Sequence, residues 1–237
     1  ANFRKKYFDV DAWEDVNNYY IPYMERFPKP KIKGIARILG IDVRCGTPIL
    51  DIKNWLRKHN IYDAELSAFV QDPKYWIDLK TICQGSVLCD REEFLPNGFP
   101  AGYFDYVIAD RPLNRYHEPQ KLINDLFLLC KDGGTVTCKL KNTFSFQEYV
   151  HLLGQWGVYD SEFSYHIPLE SVQTALEKLG SIQAVIGIPF SLSADQIQAL
   201  KNLLPKELPK ETETMLLNRM LCKEYLLITQ KKSGIGP

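Results

Sequence analysis

The side chains that could do chemistry stand beside apolar stretches of the sequence. Asp42 and Gly46 fall in a short loop after the first apolar stretch, and Arg111, Arg115 and Lys139 lie near the ends of two later ones. Guanidinium and ammonium groups at such positions can hold a phosphate or a sugar-nucleotide acceptor. The alternative is that these basic residues form an ordinary solvated rim.

Two histidines could supply acid–base chemistry, because the unperturbed imidazole changes its charge near neutral pH. His117 follows the loop that begins at Arg111, and His166 ends an aromatic stretch that starts at Phe144. The aromatic rings of this stretch could stack on a sugar or cover a site, or they could serve only for packing. For each histidine the alternative is a solvated loop residue.

Hydrophobic periodicity predicts strands that alternate with helices. Residues 49–59 and 169–179 carry apolar side chains at helical spacing, and so do residues 122–130. Strands are predicted at residues 35–43, 66–70, 86–88, 104–109, 135–140, 182–188 and 225–229. This order predicts a doubly wound, Rossmann-like α/β fold, whose sheet is mostly parallel with an antiparallel C-terminal edge strand and is covered by helices on both faces.

One α/β domain accounts for most of the chain. Residues 1–30 are rich in aromatic and charged side chains and end in a proline-broken segment, which predicts an N-terminal helical segment. Residues 31–237 are predicted to form the α/β domain. No initiator methionine precedes Ala1, so we expect a trimmed tag, a processed chain or a domain cut from a longer protein.

The composition argues against several classes of function. The chain has 29 basic and 29 acidic residues among its 237, so its net charge does not attract nucleic acid or an anionic membrane. Its apolar runs are shorter than the roughly 20 residues that a membrane-spanning helix needs. The cysteines lack CxxC spacing and are predicted to be buried thiols in a reducing, cytoplasmic setting, not zinc ligands or a disulfide framework: Cys45, Cys83, Cys89, Cys130, Cys138 and Cys222.

Several features together resemble class I S-adenosylmethionine-dependent methyltransferases. They are the order of the predicted elements, the loop at residues 42–48, Asp90 after the third strand, the strand at residues 104–108 and the turn at residues 131–134. The resemblance covers nearly the whole chain. It implies a methyltransferase fold, S-adenosylmethionine as the cofactor, and transfer by direct displacement at the sulfonium methyl group.

The first loop of this family has the pattern E/D-x-G-x-G-x-G, because bare backbone is needed where the methionine part of the cofactor lies. Asp42 and Gly46 match the pattern, and the resemblance implies that they contact the cofactor. Arg44 and Pro48 replace the other two glycines, so a large cation is added and an amide donor is removed. The alternative is a plain strand-to-helix turn.

Two further acids are expected in the family. One generally ends the second strand and takes both ribose hydroxyls, and another follows the third strand and accepts a bond from the adenine amino group. Here Val70 stands at the ribose position, where the neighbouring Asp72 could substitute only if the second strand ends later than residue 70, and Asp90 stands at the adenine position. The alternatives are a helix cap for Asp72 and a cap or turn residue for Asp90.

The loop after the fourth strand departs from the family. Related domains often have an acid followed by Leu-Glu-His, whereas Asn114 and Arg115 stand here in place of the acid–base pair. An arginine does not act as a general base near neutral pH. His117 therefore becomes the candidate base.

A narrower resemblance lies in residues 152–159, which are followed by Tyr165, His166 and a helix. These residues are similar to methyltransferase-like domains fused to, or encoded with, family 2 glycosyltransferases of surface-polysaccharide assembly. The resemblance implies a sugar or sugar-linked acceptor, a glycosyltransferase partner and a place for His166 near the acceptor. The alternative is a domain that has lost catalysis and serves as a binding or scaffolding module of a glycosyltransferase.

Overall fold

The computed structural model describes residues 21–146, 148, 166–190, 192–205 and 207–234. The strands in these ranges are β1 (Ala36–Ile41), β2 (Ala64–Val70), β3 (Val87–Cys89), β4 (Phe104–Pro112), β5 (Cys130–Lys141), β6 (Gly180–Pro189) and β7 (Cys222–Lys231). The helices are α1 (Thr47–Lys58), α2 (Trp76–Ile82), α3 (Leu95–Gly98), α4 (Pro119–Leu129), α5 (Leu169–Leu179), α6 (Ala194–Leu203) and α7 (Lys210–Leu221). Short 3-10 helices lie at Ile21–Arg26, Pro73–Tyr75, Glu92–Phe94 and Leu113–Arg115.

All of these strands belong to one seven-stranded sheet in the order β3-β2-β1-β4-β5-β7-β6. The neighbours from β3 to β5 pair in parallel, and β7 pairs antiparallel with both β5 and β6. The predicted doubly wound α/β fold is therefore confirmed. The antiparallel strand β7 lies one position in from the border of the sheet, and β6 is outermost.

The sheet buries both of its faces, because successive side chains of a strand point to opposite sides. Leu39 and Ile41 of β1 join a core with α4 and α5, whereas Ile38 packs into a second core with α1 and α2. All three side chains are fully buried. This is the two-sided covering that the alternation of strands and helices predicted.

The long helices follow the predicted apolar spacing. Helix α1 begins after Gly46, carries Pro48 in its first turn and buries Ile49, Ile52 and Leu56 along one face. Helix α5 has the predicted bounds, Leu169–Leu179, and buries one face against the first core. Apolar periodicity alone therefore located both helices.

The reversal of strand order beside β1 defines where a ligand can bind. The chain passes from β1 to β2 and β3 on one side and later returns to β4 and β5 on the other. In doubly wound sheets, ligands bind outside the carboxyl ends of the strands at such a switch point. We call the carboxyl ends of β1 to β5, with the loops that directly follow them, the switch-point edge.

One cysteine prediction is wrong. Cys130, Cys138 and Cys222 are buried thiols, and Cys45 and Cys83 are half-buried, but Cys89 is exposed. Cys89 is the last residue of β3, the strand at the border of the sheet, where fewer neighbouring elements can cover a side chain.

Some sequence predictions fall on residues beyond the described ranges. Residues 1–20, residues 152–159 and Tyr165 lie outside the described residues, so the N-terminal helical segment and the narrower resemblance stay predictions. None of the helices in the described ranges combines the length and apolar character needed to cross a membrane. The same ranges contain no group of three or more His, Cys, Asp or Glu side chains that could hold a metal ion.

Candidate functional site

Three of the predicted acids meet at the switch-point edge. Asp42 follows β1, Asp72 lies two residues beyond β2, and Asp90 follows β3. Burial and the charges of Asp72, Asp90 and Asp42 raise the pKa of the Cys89 thiol. A single side chain feels all three charges, so the β1–β3 half of the edge is acidic.

The Asp42 carboxylate is held by the residue that follows β2. Its Oδ1 accepts a hydrogen bond from the Gln71 backbone N–H at 2.9 Å, and its Oδ2 accepts one from Gln71 Nε2 at 2.8 Å. Burial nevertheless raises the pKa of Asp42, and the bonds from Gln71 only offset part of that rise. Asp42 thus ties the end of β1 to the end of β2.

Tyr116 and Arg111 complete the surroundings of Asp42. The Tyr116 hydroxyl is buried near the Asp42 carboxyl but makes no hydrogen bond of ordinary length within the described part of the chain. Burial and the charge of Asp42 raise the pKa of Tyr116 well above its usual value. The Arg111 guanidinium lies 5.4 Å from the centroid of the Tyr116 ring, and its charge lowers the pKa of Asp42.

The loop after β1 has an unusual backbone. Asp42, Arg44 and Gly46 have φ angles of 49°, 52° and 91°, in the left-handed region that favours glycine. Arg44 therefore keeps the backbone conformation expected of a glycine while carrying a large side chain. This is the position where the methyltransferase pattern has its first glycine.

Gly46 has a second reason to be glycine. A Cβ atom at this position would lie 2.3 Å from Ile82 Cδ1 and 3.1 Å from Leu79 Cδ2, both on α2. A side chain at residue 46 would therefore force the ends of the Ile82 and Leu79 side chains to move. The predicted cofactor residue Gly46 thus also contributes to the packing of α1 against α2.

A buried ion pair lies at the β4–β5 half of the switch-point edge. Lys139 forms an ion pair with Asp110 at 2.7 Å, and the two side chains are only 11% and 7% exposed. Burial lowers the pKa of Lys139, but the charges of Asp110 and Glu224 outweigh that effect and raise it overall. The charge of Arg44 acts in the lowering direction.

Asp72 and Asp90 are exposed, and each accepts a hydrogen bond from a backbone N–H of its own loop. Asp72 Oδ1 accepts a hydrogen bond from the Lys74 backbone N–H at 3.0 Å and caps the 3-10 helix Pro73–Tyr75, the alternative role considered for it. Its Oδ2 also lies 3.3 Å from Lys74 Nζ. Asp90 Oδ1 accepts a hydrogen bond from the Arg91 backbone N–H at 2.8 Å.

His117 stands at the start of α4 with an exposed side chain. Its backbone N–H donates to both carboxylate oxygens of Glu92, at 3.0 and 3.2 Å, and the N–H of Glu118 donates to Glu92 Oε1 at 3.1 Å. Glu92 thus fixes the backbone at His117 and leaves the imidazole on the surface. The half-buried Arg115 ends the preceding 3-10 helix.

His166 belongs to a different part of the site. It lines a cavity of about 330 Å³ between the starts of α4 and α5, together with Leu113, Gln120, Ile123 and Ser171. The described lining is mostly apolar and contains no Asp, Glu, Lys or Arg. It includes His166 and not His117, so the two candidate bases do not share this cavity.

Several residues of the site could not be predicted from the sequence. Three of them are Gln71, Tyr116 and Glu92. Gln71 and Glu92 bond to residues 25 to 29 positions away along the chain, and Tyr116 is buried near Asp42. Neither a distant contact nor burial of this kind leaves a pattern in the sequence. Asn114 is fully buried and accepts a hydrogen bond from the Lys141 backbone N–H at 2.8 Å. The only sequence signal that could have indicated Asn114 was its position in the loop after the fourth strand, where the sequence departs from the family pattern.

The sequence matches no protein-family model and no curated protein. Among solved structures, the chain is similar to one from the complex between the Haloferax volcanii Trm112 methyltransferase activator and a methyltransferase, with a TM-score of 0.59, 13% identity, and 97% and 98% of the two chains covered. A SAM-dependent methyltransferase from Archaeoglobus fulgidus gives a TM-score of 0.57 at 16% identity with the same coverage. One from Mesorhizobium loti gives 0.54 at 13% identity, covering 89% of this chain and 96% of that one. The chain therefore has the fold of S-adenosylmethionine-dependent methyltransferases.

Proposed function

We propose that this chain is an S-adenosylmethionine-dependent methyltransferase that acts on a sugar or sugar-linked acceptor in surface-polysaccharide biosynthesis. The observation that carries the proposal is the meeting of Asp42, Asp72 and Asp90 at the switch-point edge, where the fold binds its ligands. The methyltransferase fold of similar solved structures supports the same activity.

The residues at this edge fit the cofactor in two respects. Asp90 is an exposed carboxylate directly after β3, suited to accept a bond from the adenine amino group, and Asp72, an exposed carboxylate two residues beyond β2, is the neighbouring acceptor for the ribose hydroxyls. Arg44 and Gly46 keep the left-handed backbone that a glycine loop ordinarily supplies, so the loop retains a shape suited to the methionine part. When bound, the cofactor supplies a methyl group activated on a sulfonium.

The acceptor would lie beside the cavity that His166 lines. Its apolar walls suit the face of a sugar ring, and Gln120 and Ser171 offer uncharged hydrogen-bonding groups for hydroxyls. If the acceptor is a hydroxyl, a base must take its proton, and we assign this role to His166 with His117 as the second candidate.

The basic residues would hold an anionic group on the acceptor. Arg111 and Arg115 lie in and just after the end of β4, and Lys139 lies near the end of β5. We assign the contact with a phosphate to the two arginines, because planar guanidinium groups match its geometry. We further propose a cytoplasmic location and a glycosyltransferase as the partner domain or protein.

A second function is favoured by a separate observation. Each of the predicted cofactor acids already accepts a hydrogen bond within the chain, Asp42 from Gln71, Asp72 from Lys74 and Asp90 from Arg91. A domain with these bonds and with Arg44 and Pro48 in its first loop is suited to serve as a non-catalytic binding or scaffolding module of a glycosyltransferase.

Isothermal titration of the purified chain with S-adenosylmethionine and S-adenosylhomocysteine separates the two functions. The methyltransferase predicts saturable one-site binding at micromolar to sub-millimolar affinity, and Asp90→Ala should weaken it. Asp195→Ala is the matched control, because Asp195 is exposed at the start of α6, after β6 at the opposite border of the sheet from β3. No binding up to millimolar ligand would overturn the proposed methyltransferase and leave the non-catalytic module as the remaining function.

A further inference from the structure

Glu92 joins two loops of the switch-point edge that are far apart in the sequence. Its Oε1 accepts hydrogen bonds from the backbone N–H of His117 at 3.0 Å and from that of Glu118 at 3.1 Å, and its Oε2 accepts from His117 at 3.2 Å. Glu92 begins the 3-10 helix that follows β3, whereas His117 and Glu118 directly precede α4. One carboxylate thus connects the loop after β3 to the loop after β4.

Within the described residues, the start of α4 has no side-chain cap of its own. Glu118 is the N-cap residue, and Pro119, which follows it, has no N–H. The carbonyl of Glu118 accepts a bond of the first turn, from the Leu122 N–H at 2.9 Å. Glu92 bonds the N–H of this N-cap residue, as the glutamate of a capping box does, and places a negative charge at the positive end of the helix. Glu92 therefore fixes and stabilises the first turn of α4.

The first turn of α4 is also one wall of the cavity that His166 lines. Pro119, Gln120 and Ile123 contribute to that wall. Ile123 is buried in the first core together with Leu95, which directly follows the 3-10 helix of Glu92. A shift at the start of α4 therefore changes the shape of the cavity beside which we place the acceptor.

The loop that carries Glu92 begins at the predicted adenine residue. The N–H of Asp90 donates to the Val70 carbonyl at 3.1 Å, and Asp90 Oδ1 accepts from the Arg91 N–H at 2.8 Å. The Phe94 N–H donates in turn to the Arg91 carbonyl at 3.0 Å. Because Glu92 lies two residues from Asp90 on this short, hydrogen-bonded segment, a ligand that contacts Asp90 also restrains the carboxylate that holds α4.

We propose that Glu92 is a positioning residue that couples the nucleoside end of the switch-point edge to the acceptor cavity. A ligand at Asp90 restrains the loop after β3, and Glu92 transmits that restraint to the first turn of α4 through the backbone of His117 and Glu118. The inference rests on the proposed function, because it requires a cofactor at Asp90 and an acceptor beside the cavity.

Residue-resolved hydrogen exchange, measured by NMR with and without S-adenosylhomocysteine, tests the proposal. The Leu122 amide reports on the first turn of α4. The amide of Leu176, a fully buried residue of α5, corrects for the stabilisation of the whole chain by a ligand. In wild type the ligand should slow exchange at Leu122 relative to Leu176 by about threefold or more, the size of one hydrogen bond's net contribution.

Four variants of the Glu92 segment complete the experiment. Glu92→Ala removes the acceptor oxygens, and Glu92→Asp keeps the charge on a side chain one methylene shorter, so both should abolish the gain in protection while S-adenosylhomocysteine still binds. Glu92→Gln should retain the gain, because its one carbonyl oxygen can accept from both N–H groups as Oε1 does. Glu93→Ala is the matched control, because Glu93 is the next residue of the same 3-10 helix and is exposed.

The outcomes separate this inference from the proposed function. Loss of the gain in Glu92→Ala and Glu92→Asp, with retention in Glu92→Gln and Glu93→Ala, supports the inference. If Glu92→Ala does not fold by circular dichroism, Glu92→Asp and Glu92→Gln decide. Ligand binding with no gain at Leu122 in wild type, with a gain that persists in Glu92→Asp, or with a loss in Glu92→Gln overturns the inference and leaves the methyltransferase proposal standing. Absence of binding to both wild type and Glu93→Ala overturns both.

Discussion

Two acids near the switch point are stabilised by different means. Asp42 accepts two hydrogen bonds from Gln71, and these lower its pKa more than the charge of Arg111 does. Asp110 is held by the ammonium group of Lys139 at 2.7 Å. A neutral amide compensates a desolvated charge less completely than a bonded cation does, which is why burial still dominates the pKa of Asp42.

The desolvation of Asp42 predicts a pH dependence of stability. Its folded-state pKa is raised above the ordinary value of 3.8, so the folded chain binds this proton more tightly than the unfolded chain does. The contribution of Asp42 to the free energy of unfolding is therefore largest below pH 3.8 and is lost as the pH rises through the folded-state pKa. Asp42→Asn, which keeps the shape and can still bond to Gln71, removes this loss.

Urea denaturation of wild type and Asp42→Asn between pH 4 and pH 7 measures the effect. The free energy of unfolding of wild type should fall relative to that of Asp42→Asn as the pH rises. Asp195→Asn controls for the loss of a surface carboxylate. A difference that grows in favour of wild type with rising pH would contradict the burial argument.

The ion pair of Lys139 and Asp110 predicts a large effect on stability. Lys139→Met removes the ammonium from a carboxylate that is only 7% exposed, and breaking such a buried pair costs about 3–5 kcal/mol. Lys121→Met is the matched control, because Lys121 pairs with Glu118 at 3.3 Å with both side chains exposed, where a pair contributes about 0–1 kcal/mol. If chemical denaturation gave similar losses in the free energy of unfolding for the two variants, burial would add nothing to the contribution of the Lys139–Asp110 pair.

At the scale of elements, α1 and α2 approach closely at a residue that has no side chain. Gly46 precedes α1 with a left-handed backbone, and Ile82 and Leu79 of α2 fill the space where its Cβ would stand. The two helices cover the same face of the sheet and share its second core. A change at Gly46 therefore moves the ligand-binding loop and a helix contact together.

Gly46→Ala should destabilise the chain more than the backbone angle alone requires. Gly102→Ala is the matched control, because Gly102 is also left-handed, at 61°, but no atom lies within 4 Å of the place where its Cβ would stand. Both variants carry the left-handed penalty, and only Gly46→Ala adds the contact with Ile82, which we expect to cost about 1–3 kcal/mol more. Equal midpoints of thermal unfolding for the two variants would show that the Ile82 and Leu79 side chains of α2 move aside with no loss of stability.

The elements that the sequence predicted best are those with a regular apolar period. Residues 169–179 predicted α5 with its observed bounds, since one buried face repeats through its whole length. The start of β5 was missed, because Asp132, Gly133 and Gly134 indicate a turn. They belong instead to the strand Cys130–Lys141, which contains a register shift between the pairs Phe104–Cys130 and Tyr106–Thr135. An irregular strand of this kind leaves no period to detect.

The site was less predictable than the fold. The topology of the sheet explains why Asp42, Asp72 and Asp90 gather at one edge, and the family resemblance nominated them at strand ends in the sequence. The partners of these acids were not predictable, because the contact of Asp42 with Gln71 depends on how the end of β1 meets the end of β2. The left-handed backbone of Arg44 also required the structure, since it is set by the loop after β1.

At the scale of the whole molecule, β7 joins two parts of the sheet. It pairs with β5 on one side through seven residue pairs and with β6 on the other through nine. In the described part of the chain β6 has no other strand partner. The integrity of this half of the sheet therefore depends on the strand Cys222–Lys231.

Truncation tests this dependence. A chain ending at Leu221 lacks β7, leaves the edge of β5 open and separates β6 from the sheet, so we expect it to lose cooperative thermal unfolding. A chain ending at Lys232 keeps β7 and gives up the exposed bond from the Gly234 N–H to Asp132, so it should unfold as the full chain does. A cooperative transition in the shorter chain would show that β7 is dispensable.

The place of β7 also sets the order in which the protein can be assembled on the ribosome. The five parallel strands and β6 emerge first, yet β6 cannot dock until β7 has been synthesised, because only β7 connects it to the others in the described sheet. At translation rates of roughly 5–20 residues per second, the nascent chain spends a few seconds with the β5 border exposed. Chaperones that shield open strand borders would act on this chain during that interval, and the synthesis of Cys222–Lys231 ends the need for them.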